Sequence, residues 1–484
     1  MRNRIPLFLL IGLLLLAAPE APFHAQPRRV SFIPYQEARP IIEALGDALP
    51  AELRGTATRD LPTVWTNWVV RRDAEIRNRL VQGDEDSLVN FLLFGISFTS
   101  KPRITLSDLA RTGEKRLLSL GNTSPEAVAF VRAIQSRADD LIQAMSAPGK
   151  NERLLFARRL VESKGNELTT IQGRERVKQY LIANLARLLN EHASYARVLE
   201  SAKLLGDPSA EFAERSKLYA TRGLSSDTSL LPNFAIERAL SSLKSQGMLA
   251  AGSVRRVGII GPGLDFTDKQ DGYDFYPQQT IQPFAVIDSL LRLGLARTNE
   301  LHVTTFDLSA RVNDHLNRAI ANARRGSPYT IQLPRDAQGQ WKAEVIDYWT
   351  KFGDRIGTPA TPVAAPAGIG ELKIRAVRVR PAIVAFITPE DTNIVLQRLE
   401  TPGGQGFDLL IATNILVYYD VFEQSLALAN VERMLRPGGF LLSNNALLEL
   451  PGSRVHSVGY ETVVYSDKPN DGDHVVWYQR STDK

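Results

Sequence analysis

The sequence predicts an α/β protein in which a doubly wound, seven-stranded domain follows an all-helical domain. Three observations support this fold class. Residues 407–445 read as an apolar strand, an amphipathic helix, a Pro-Gly-Gly turn and a second apolar strand, which together form one βαβ unit. Five more short apolar runs occur between residues 256 and 478. Residues 30–250, by contrast, show helical periodicity with little of the alternation that strands require.

The composition is that of a globular protein and narrows the classes of function. A chain of 484 residues predicts two to three domains, because a single core rarely grows beyond about 250–300 residues. The net charge of +5 is spread along the chain, so nucleic-acid binding gains no support. Cysteine is absent, which excludes thiol nucleophiles and thiolate zinc sites. The six histidines show no HxH or HExxH spacing, so no metal site is predicted.

The amino terminus has the pattern of an export signal. Arg2 and Arg4 precede an apolar run from Ile5 to Ala18. A helix of that length covers about 21 Å, less than the hydrocarbon thickness of about 30 Å. We therefore expect residues 1–25 to be a signal peptide that exports the protein into or beyond a bacterial envelope. Two alternatives stay open: retention as a short membrane anchor, and a misassigned start codon, which would leave the protein in the cytoplasm.

Residues 30–222 are predicted to form the helical domain. Ser124-Pro125-Glu126 is a helix start signal, and Asp84 or Asp86 is expected to cap an earlier helix. The other predicted helices keep apolar residues three or four apart and cover residues 125–145, 151–163, 174–191 and 194–204.

The second domain is predicted at residues 234–484, after a Ser-, Asp- and Pro-containing linker at 223–233. A helix at 234–246 precedes the first strand. The expected strands are the seven apolar runs at 256–260, 302–306, 383–387, 407–413, 440–443, 462–465 and 475–478. The last two have no helix between them, which suits an antiparallel hairpin at the sheet edge.

The pattern of this domain breaks at residues 327–381, which we expect to be an irregular insertion. Thr330–Leu333 has the composition of a strand, and Trp341–Phe352 that of a short helix. Residues 358–370 are rich in Pro, Ala and Gly, which predicts a loop.

Two features of the second domain indicate a ligand site. The first strand runs into Gly261-Pro262-Gly263, where missing side chains let a ligand approach the backbone. Asp307 ends the next apolar run, where a carboxylate can accept hydrogen bonds from both hydroxyls of a ribose. The alternatives are a plain βα turn for the glycines and a helix cap for Asp307.

The spacing of these features bears on the kind of nucleotide. Dinucleotide folds carry a third glycine and place the acidic residue about 20 residues after the turn. Here Phe266 occupies the third glycine position, and Asp307 lies 44 residues after Gly263. A nicotinamide cofactor is therefore disfavoured.

Polar residues also follow the strand 407–413. Open parallel sheets bind ligands beyond the carboxyl ends of their strands, so Thr413, Asn414, Tyr418 and Tyr419 lie where a site is expected. The alternatives are that Asn414 caps a helix and that one of the tyrosines belongs to the core.

Residues 234–480 resemble the class I S-adenosylmethionine-dependent methyltransferases, whose domain is Rossmann-like and whose last strand inserts antiparallel. The resemblance lies in the order of the glycine turn, Asp307, the Phe407-Asp408 strand and Pro437-Gly438-Gly439. The run Asn-Ile-Leu-Val-Tyr-Tyr at 414–419 is most similar to the chemotaxis-receptor methyltransferases. The third glycine of the family's first motif is missing.

The resemblance implies S-adenosylmethionine as the cofactor and methyl transfer to a small-molecule or protein acceptor, either a carboxylate or another polar group. It places Asp391 against the adenine, although helix capping explains that residue equally well. The acceptor-side candidates are Asn414, Tyr418 and Tyr419. The implied cofactor-binding residues are Gly261, Pro262, Gly263, Asp307, Asp391 and Asn414.

Two other functions stay open. A non-catalytic exported scaffold would keep the fold and use the helical half for protein contacts. A nicotinamide-dependent oxidoreductase is the third hypothesis, and an antiparallel strand at the carboxyl end of the sheet would count against it. An open cleft between Gly261, Asp307, Asp391 and Asn414 favours the enzyme, whereas apolar side chains filling that space favour the scaffold.

Overall fold

The computed structural model describes residues 30–104, 125–204, 222–267, 273–367, 369–401, 405–468 and 471–482. The leader predicted at residues 1–25 lies outside them. Within the described ranges, no helix combines the length and apolarity that a membrane span requires.

The described helices alternate with strands only in the second half of the chain. In chain order the helices are α1 (Tyr35–Leu45), α2 (Ala51–Arg54), α3 (Leu61–Phe94), α4 (Pro125–Ser146), α5 (Glu152–Ser163), α6 (Ile171–Leu204), α7 (Leu231–Ser245), α8 (Gln282–Arg292), α9 (Ala310–Arg324), α10 (Ala343–Lys351), α11 (Pro381–Val384) and α12 (Val421–Met434). The strands are β1 (Val30–Phe32), β2 (Arg256–Ile260), β3 (His302–Asp307), β4 (Tyr329–Asp336), β5 (Gly357–Ala360), β6 (Leu372–Val379), β7 (Ile387–Asp391), β8 (Gln397–Leu399), β9 (Phe407–Ala412), β10 (Leu435–Ser443), β11 (Val455–Val464) and β12 (Gly472–Arg480).

The main sheet has seven strands in the order β11-β12-β10-β9-β2-β3-β7. Strands β7, β3, β2, β9 and β10 are parallel, whereas β12 is antiparallel to both of its neighbours. The sheet confirms the predicted α/β class, and the antiparallel insertion of the last strand agrees with the resemblance drawn from the sequence. The βαβ unit predicted at 407–445 is present as β9, α12 and β10.

Helices cover both faces of this sheet, which is why its central strands are apolar on both sides. In β9, Leu409 and Ile411 join a core that includes α7, α8 and α9. The alternate residues Leu410 and Ala412 join a second core with α1, α12 and the first half of α3. The sheet is therefore doubly wound, and the amino-terminal helices supply part of one covering layer.

The remaining helices form a smaller helical body. Its cores are built from the second half of α3 together with α4, α5 and α6. Phe266, which follows β2, inserts into one of these cores, so the two halves of the chain interlock there. The amino-terminal part is not entirely helical, because β1 pairs antiparallel with β8. The domain boundaries themselves stay a prediction.

Three predicted elements differ from the structure. Helix α3 is continuous through Asp84 and Asp86, so neither residue caps a helix. The expected helices at 174–191 and 194–204 are one helix, because no glycine or proline interrupts that stretch. The strand expected at 383–387 is partly helical, since Pro381 occupies the first turn of α11 and the strand β7 begins only at Ile387.

The predicted insertion has regular structure of its own. Strands β4, β6 and β5 form a three-stranded antiparallel sheet, and α10 lies between β4 and β5 along the chain. The loop predicted at 358–370 therefore begins with a strand, β5. These elements share the core that contains α7, α8 and α9.

Candidate functional site

A cavity lies at the carboxyl ends of the central parallel strands. The chain proceeds from β2 to β3 and β7 on one side of the sheet, and through β9 and β10 on the other. Such a reversal of strand order leaves a crevice between β2 and its two neighbours, where open α/β sheets bind ligands. The cavity has a volume of about 280 Å³, close to the lower end of small-molecule sites, which span about 300–1,000 Å³.

The glycine turn after β2 forms one wall of this cavity. Gly261 and Gly263 have φ angles of 65° and 63°, which a residue with a side chain adopts only with strain. A Cβ on Gly263 would lie 2.7 Å from the carbonyl oxygen of Ser226, and one on Gly261 would overlap Ile415. Both glycines line the cavity, whereas the buried Pro262 between them does not.

Asp307 lies at the end of β3 and also lines the cavity. Its side chain accepts hydrogen bonds from the backbone N–H groups of Ser309, at 2.8 Å, and Gly263. Burial raises the pKa of this carboxyl to about 6, and the charge of Asp391 acts in the same direction. The two backbone N–H groups and Arg311 oppose the shift. A carboxylate offers about four acceptor positions, so two remain for a ligand.

Asp391 does not reach the cavity. Its side chain is exposed, and Oδ1 accepts a hydrogen bond of 2.8 Å from Arg77 Nη1. No helix follows it that it could cap, since β8 is the next element. The next residue, Thr392, is 2% exposed and lines the cavity, and its hydroxyl has no hydrogen-bond partner among the described residues.

Asn414 follows β9 and lines the cavity with a φ angle of 57°. Its backbone N–H donates to Asn444 Oδ1 at 2.7 Å, and Asn444 Nδ2 donates to Asn414 Oδ1 at 2.6 Å. The amide pair joins the ends of β9 and β10. Asn414 is not a helix cap, because Asp420 and Glu423 form a capping box at the start of α12.

Tyr418 and Tyr419 complete this side of the cavity. Tyr419 is only 3% exposed, and burial raises the pKa of its hydroxyl above the usual value. Arg79 of α3 lies behind both tyrosines: its guanidinium is 5.6 Å from the Tyr419 ring centre and donates to the Tyr418 carbonyl at 2.7 Å. Tyr419 thus belongs to the core and to the cavity wall at once.

The segment 224–229, which we call the roof segment, was missed by the sequence reasoning. Its composition predicts part of a linker, yet it lines the cavity and packs directly against the glycine turn. Two backbone hydrogen bonds attach it to Leu264, from Leu264 N to Ser226 O at 2.7 Å and from Thr228 N to Leu264 O at 3.0 Å. Its Asp227 accepts a hydrogen bond from Ser87 of α3. The residues that make these contacts lie far apart in the sequence, so no local sequence pattern predicts them.

The charged side chains described in the cavity wall are all acidic. Two carboxylates, Asp227 and Asp307, line it, and no Lys, Arg or His is among its lining residues in the part of the chain that the structure describes. Lining residues such as Leu80, Leu224 and Val417 add apolar surface. The arrangement favours a ligand that carries positive charge next to an apolar part.

Arg153 of α5 positions the chain that follows the glycine turn. The side chain is 2% exposed and donates hydrogen bonds to the backbone carbonyls of Asp265, Phe266 and Tyr276. A guanidinium with several donors in a fixed plane can hold three carbonyls at once. The helical body thereby fixes the backbone next to the cavity wall.

Replacing Arg153 with Met is expected to destabilise the fold by about 1–3 kcal/mol, because buried carbonyls lose their donor. The free energy of unfolding in urea measures this. Arg158→Met is the matched control, since Arg158 lies on the same helix and pairs with Glu162 at the surface. Equal unfolding free energies for the two variants would contradict the role assigned to Arg153.

Among the residues that the structure describes, no group of three or more His, Cys, Asp or Glu side chains is placed to hold a metal ion. The polar groups that line the cavity are carboxylates, amides, hydroxyls and backbone groups.

No protein-family model and no curated protein matches the chain. Solved structures similar to it include the N-methyltransferase NodS from Bradyrhizobium japonicum WM9, with 13% identity, 51% of this chain and 96% of that chain covered, and a TM-score of 0.25. Magnesium protoporphyrin IX methyltransferase (ChlM) from Synechocystis PCC 6803 has 10% identity, 60% and 91% coverage, and a TM-score of 0.25. An O-methyltransferase family protein from Burkholderia thailandensis has 13% identity, 89% and 99% coverage, and a TM-score of 0.25.

None of these three is a chemotaxis-receptor enzyme, so that finer part of the resemblance stays a prediction.

Proposed function

We propose that the protein is an S-adenosylmethionine-dependent methyltransferase whose cofactor binds in the cavity at the carboxyl ends of β2, β3 and β9. The observation that carries the proposal is the combination of the glycine turn with two carboxylates and no cation among the described lining residues. S-adenosylmethionine has a sulfonium and an ammonium group against one carboxylate, so its net charge is positive and complements this cavity.

The same charge argues against a nicotinamide dinucleotide. The pyrophosphate of such a ligand is negative and usually rests on the amino terminus of a helix directly after the glycine turn. Here α8 begins only at Gln282, well beyond Gly263. The antiparallel β12 also counts against the oxidoreductase hypothesis.

The residues present fit the proposed cofactor in three places. Asp307 keeps acceptor capacity for two ribose hydroxyls after its two backbone hydrogen bonds. The hydroxyl of Thr392, buried and without a described partner, is a donor and acceptor for the base. Gly261 and Gly263 line the cavity, so the methionine part can lie along the glycine turn. We propose that Thr392 takes the role that the resemblance assigned to Asp391.

When bound, S-adenosylmethionine supplies a methyl group on a sulfonium leaving group. The protein's own contribution is positioning, because an aligned acceptor in a shaped, dry cavity can gain much of the required acceleration from orientation alone. The side-chain amide of Asn444 bonds both the backbone N–H and the side-chain oxygen of Asn414, which fixes the polar edge on the acceptor side. Tyr418 and Tyr419 shape the adjacent wall.

The acceptor is best matched by an uncharged group or an amine. An acceptor carboxylate would enter a cavity that already holds Asp227 and Asp307 and would meet no cationic side chain among the described lining residues. Asp227, by contrast, can attract a protonated amine to the site, where the amine loses its proton to solvent before its lone pair attacks the methyl group. We propose a small-molecule or protein acceptor of this class.

A cavity of this size also favours the enzyme over a scaffold, because a scaffold would have no need to keep the cleft open. We further propose that residues 1–25 export or anchor the protein.

Isothermal titration calorimetry of the purified protein tests the function. We expect S-adenosylmethionine and its demethylated product to bind, with the positively charged cofactor binding more tightly, and nicotinamide dinucleotides to give no heat. Binding of a dinucleotide, or no heat with the first two ligands, would contradict the proposal.

A further inference from the structure

A second cavity, of about 510 Å³, lies between α5 and α9. Its wall includes Phe156 and Arg159 from α5, Arg311 and Arg318 from α9, and Gln278 from the chain before α8. The proposed methyl transfer gives none of these side chains a contact with cofactor or acceptor, although the charge of Arg311 also lowers the pKa of Asp307.

The guanidinium of Arg311 is the central feature of this cavity. The side chain is 14% exposed and lies 4.2 Å from the ring centre of Phe156 and 5.1 Å from that of Phe266. Its described carboxylate neighbour, Asp84, is 3.4 Å away. The Nε, Nη1 and Nη2 atoms have no hydrogen-bond acceptor among the described residues. Leaving buried donors unsatisfied is unfavourable, so a ligand that accepts from them would bind well.

Gln278 adds an independent observation. This residue is 8% exposed, and its Nε2 also has no hydrogen-bond partner among the described residues. Every described polar atom that is buried without a partner in this cavity is thus a donor. The missing group must therefore be an acceptor, and the forked geometry of a guanidinium matches a carboxylate or phosphate.

The acidic residues of the cavity are compatible with such a ligand. Asp84 already faces Arg311, and Glu152 accepts a hydrogen bond of 3.1 Å from the backbone N–H of Gln278. Asp314 is exposed at the rim, where Arg159 and Arg318 are exposed as well. The buried end of the cavity is bordered by Phe156 and Leu160, which suit an apolar group.

We propose that this cavity binds an organic anion, with a carboxylate or phosphate accepting hydrogen bonds from Arg311 and Gln278 and an apolar remainder against Phe156 and Leu160. Binding at this site needs neither cofactor nor turnover, so it can be tested apart from methyl transfer.

Calorimetric titration of the full chain with benzoate and with phenyl phosphate tests this site, with benzamide as the uncharged analogue. We expect at least one anion to bind and benzamide not to bind, and the stronger anion identifies carboxylate or phosphate as the natural group. Absence of binding by both anions, or equal binding of benzamide, would overturn the proposal.

Variants locate the binding. Arg311→Gln and Gln278→Leu are each expected to weaken the anion about tenfold or more, the usual loss for a hydrogen bond to a charged group. Arg158→Gln is the control, because Arg158 lies next to Arg159 on α5 but does not line the cavity. If the Arg311→Gln protein does not fold, the affinity of the Gln278→Leu variant alone tests the proposal. That variant is expected to fold, because the Nε2 atom it removes has no hydrogen-bond partner among the described residues. Unchanged affinity in the folded variants would place the anion elsewhere.

Discussion

Replacing Asp307 with Asn is expected to lower the affinity for S-adenosylmethionine by about 100-fold or more. Two ribose hydroxyls would lose a charged acceptor, and each hydrogen bond to a charged group contributes about 1.5–3 kcal/mol. The Asn side chain keeps the size of Asp, and its Oδ1 can still accept the N–H group of Ser309, so the fold is expected to persist. Calorimetric affinity and the urea unfolding curve together measure both effects.

The pH dependence of cofactor affinity is a second test of the role of Asp307. Burial raises the pKa of Asp307 to about 6, so the carboxylate gains a proton as the pH falls through that value. A protonated carboxyl is a weaker acceptor, and we therefore expect the wild-type affinity for the cofactor to fall below about pH 6. The Asn variant has no proton to gain, and its weak binding should change little over the same range.

Asp347→Asn is the control for this experiment, because Asp347 is exposed on α10 and pairs with Lys351. Wild-type affinity in that variant is expected at every pH. If Asp307→Asn binds S-adenosylmethionine as tightly as the wild type, the ribose does not rest on this carboxylate.

Replacing Gly83 with Val is expected to destabilise the fold by about 3 kcal/mol or more and to abolish tight cofactor binding, because overpacking against backbone cannot relax easily. Gly83 lies inside α3 against the residue that begins the roof segment. A Cβ there would lie 2.5 Å from the carbonyl carbon of Leu224, and closer still to its oxygen. Unfolding in urea and calorimetric affinity measure the two effects.

The milder Gly83→Ala variant tests this packing through the sign of its effect on the free energy of unfolding. In an exposed helix interior, Ala is about 1 kcal/mol more stable than Gly. At Gly83 we expect the opposite sign, since the contact with Leu224 outweighs the helix propensity. Asn78→Ala on the exposed face of the same helix is the control and should be neutral or slightly stabilising. A stabilised Gly83→Ala protein would show that the roof segment does not pack as closely as described.

The sequence predicted the parallel core of the sheet well because its signals are local. The strand β9 is a continuous apolar run, and α12 begins at a capping box, so both can be recognised within a few residues. Gly261, Gly263 and Asn414 each follow such a strand, and Asp307 is the last residue of one. Their meeting at one edge follows from the geometry of parallel strands, and the structure brings all four to one cavity.

The failures at the candidate site have the opposite cause, since they depend on contacts that are distant in sequence. Asp391 was expected to face the cavity, but Arg77 on α3 draws its carboxylate outward. The roof segment has the composition of a linker, and only its hydrogen bonds to Leu264 and Ser87 make it a wall. The second cavity could not be predicted either, because Arg311 and Gln278 become unsatisfied only when the helical body packs beside them.

The attachment of the roof segment to α3 limits how the protein can be divided. Leu224 N donates to Arg79 O at 3.0 Å, and Asp227 is held by Ser87, so this wall of the pocket is anchored in the amino-terminal half. A fragment beginning at the predicted boundary of residue 234 would contain every strand of the main sheet yet lack one side of its ligand chamber. Sheet and helices are accordingly one functional unit, and isolated expression of the carboxyl-terminal half is a poor substitute for the intact chain.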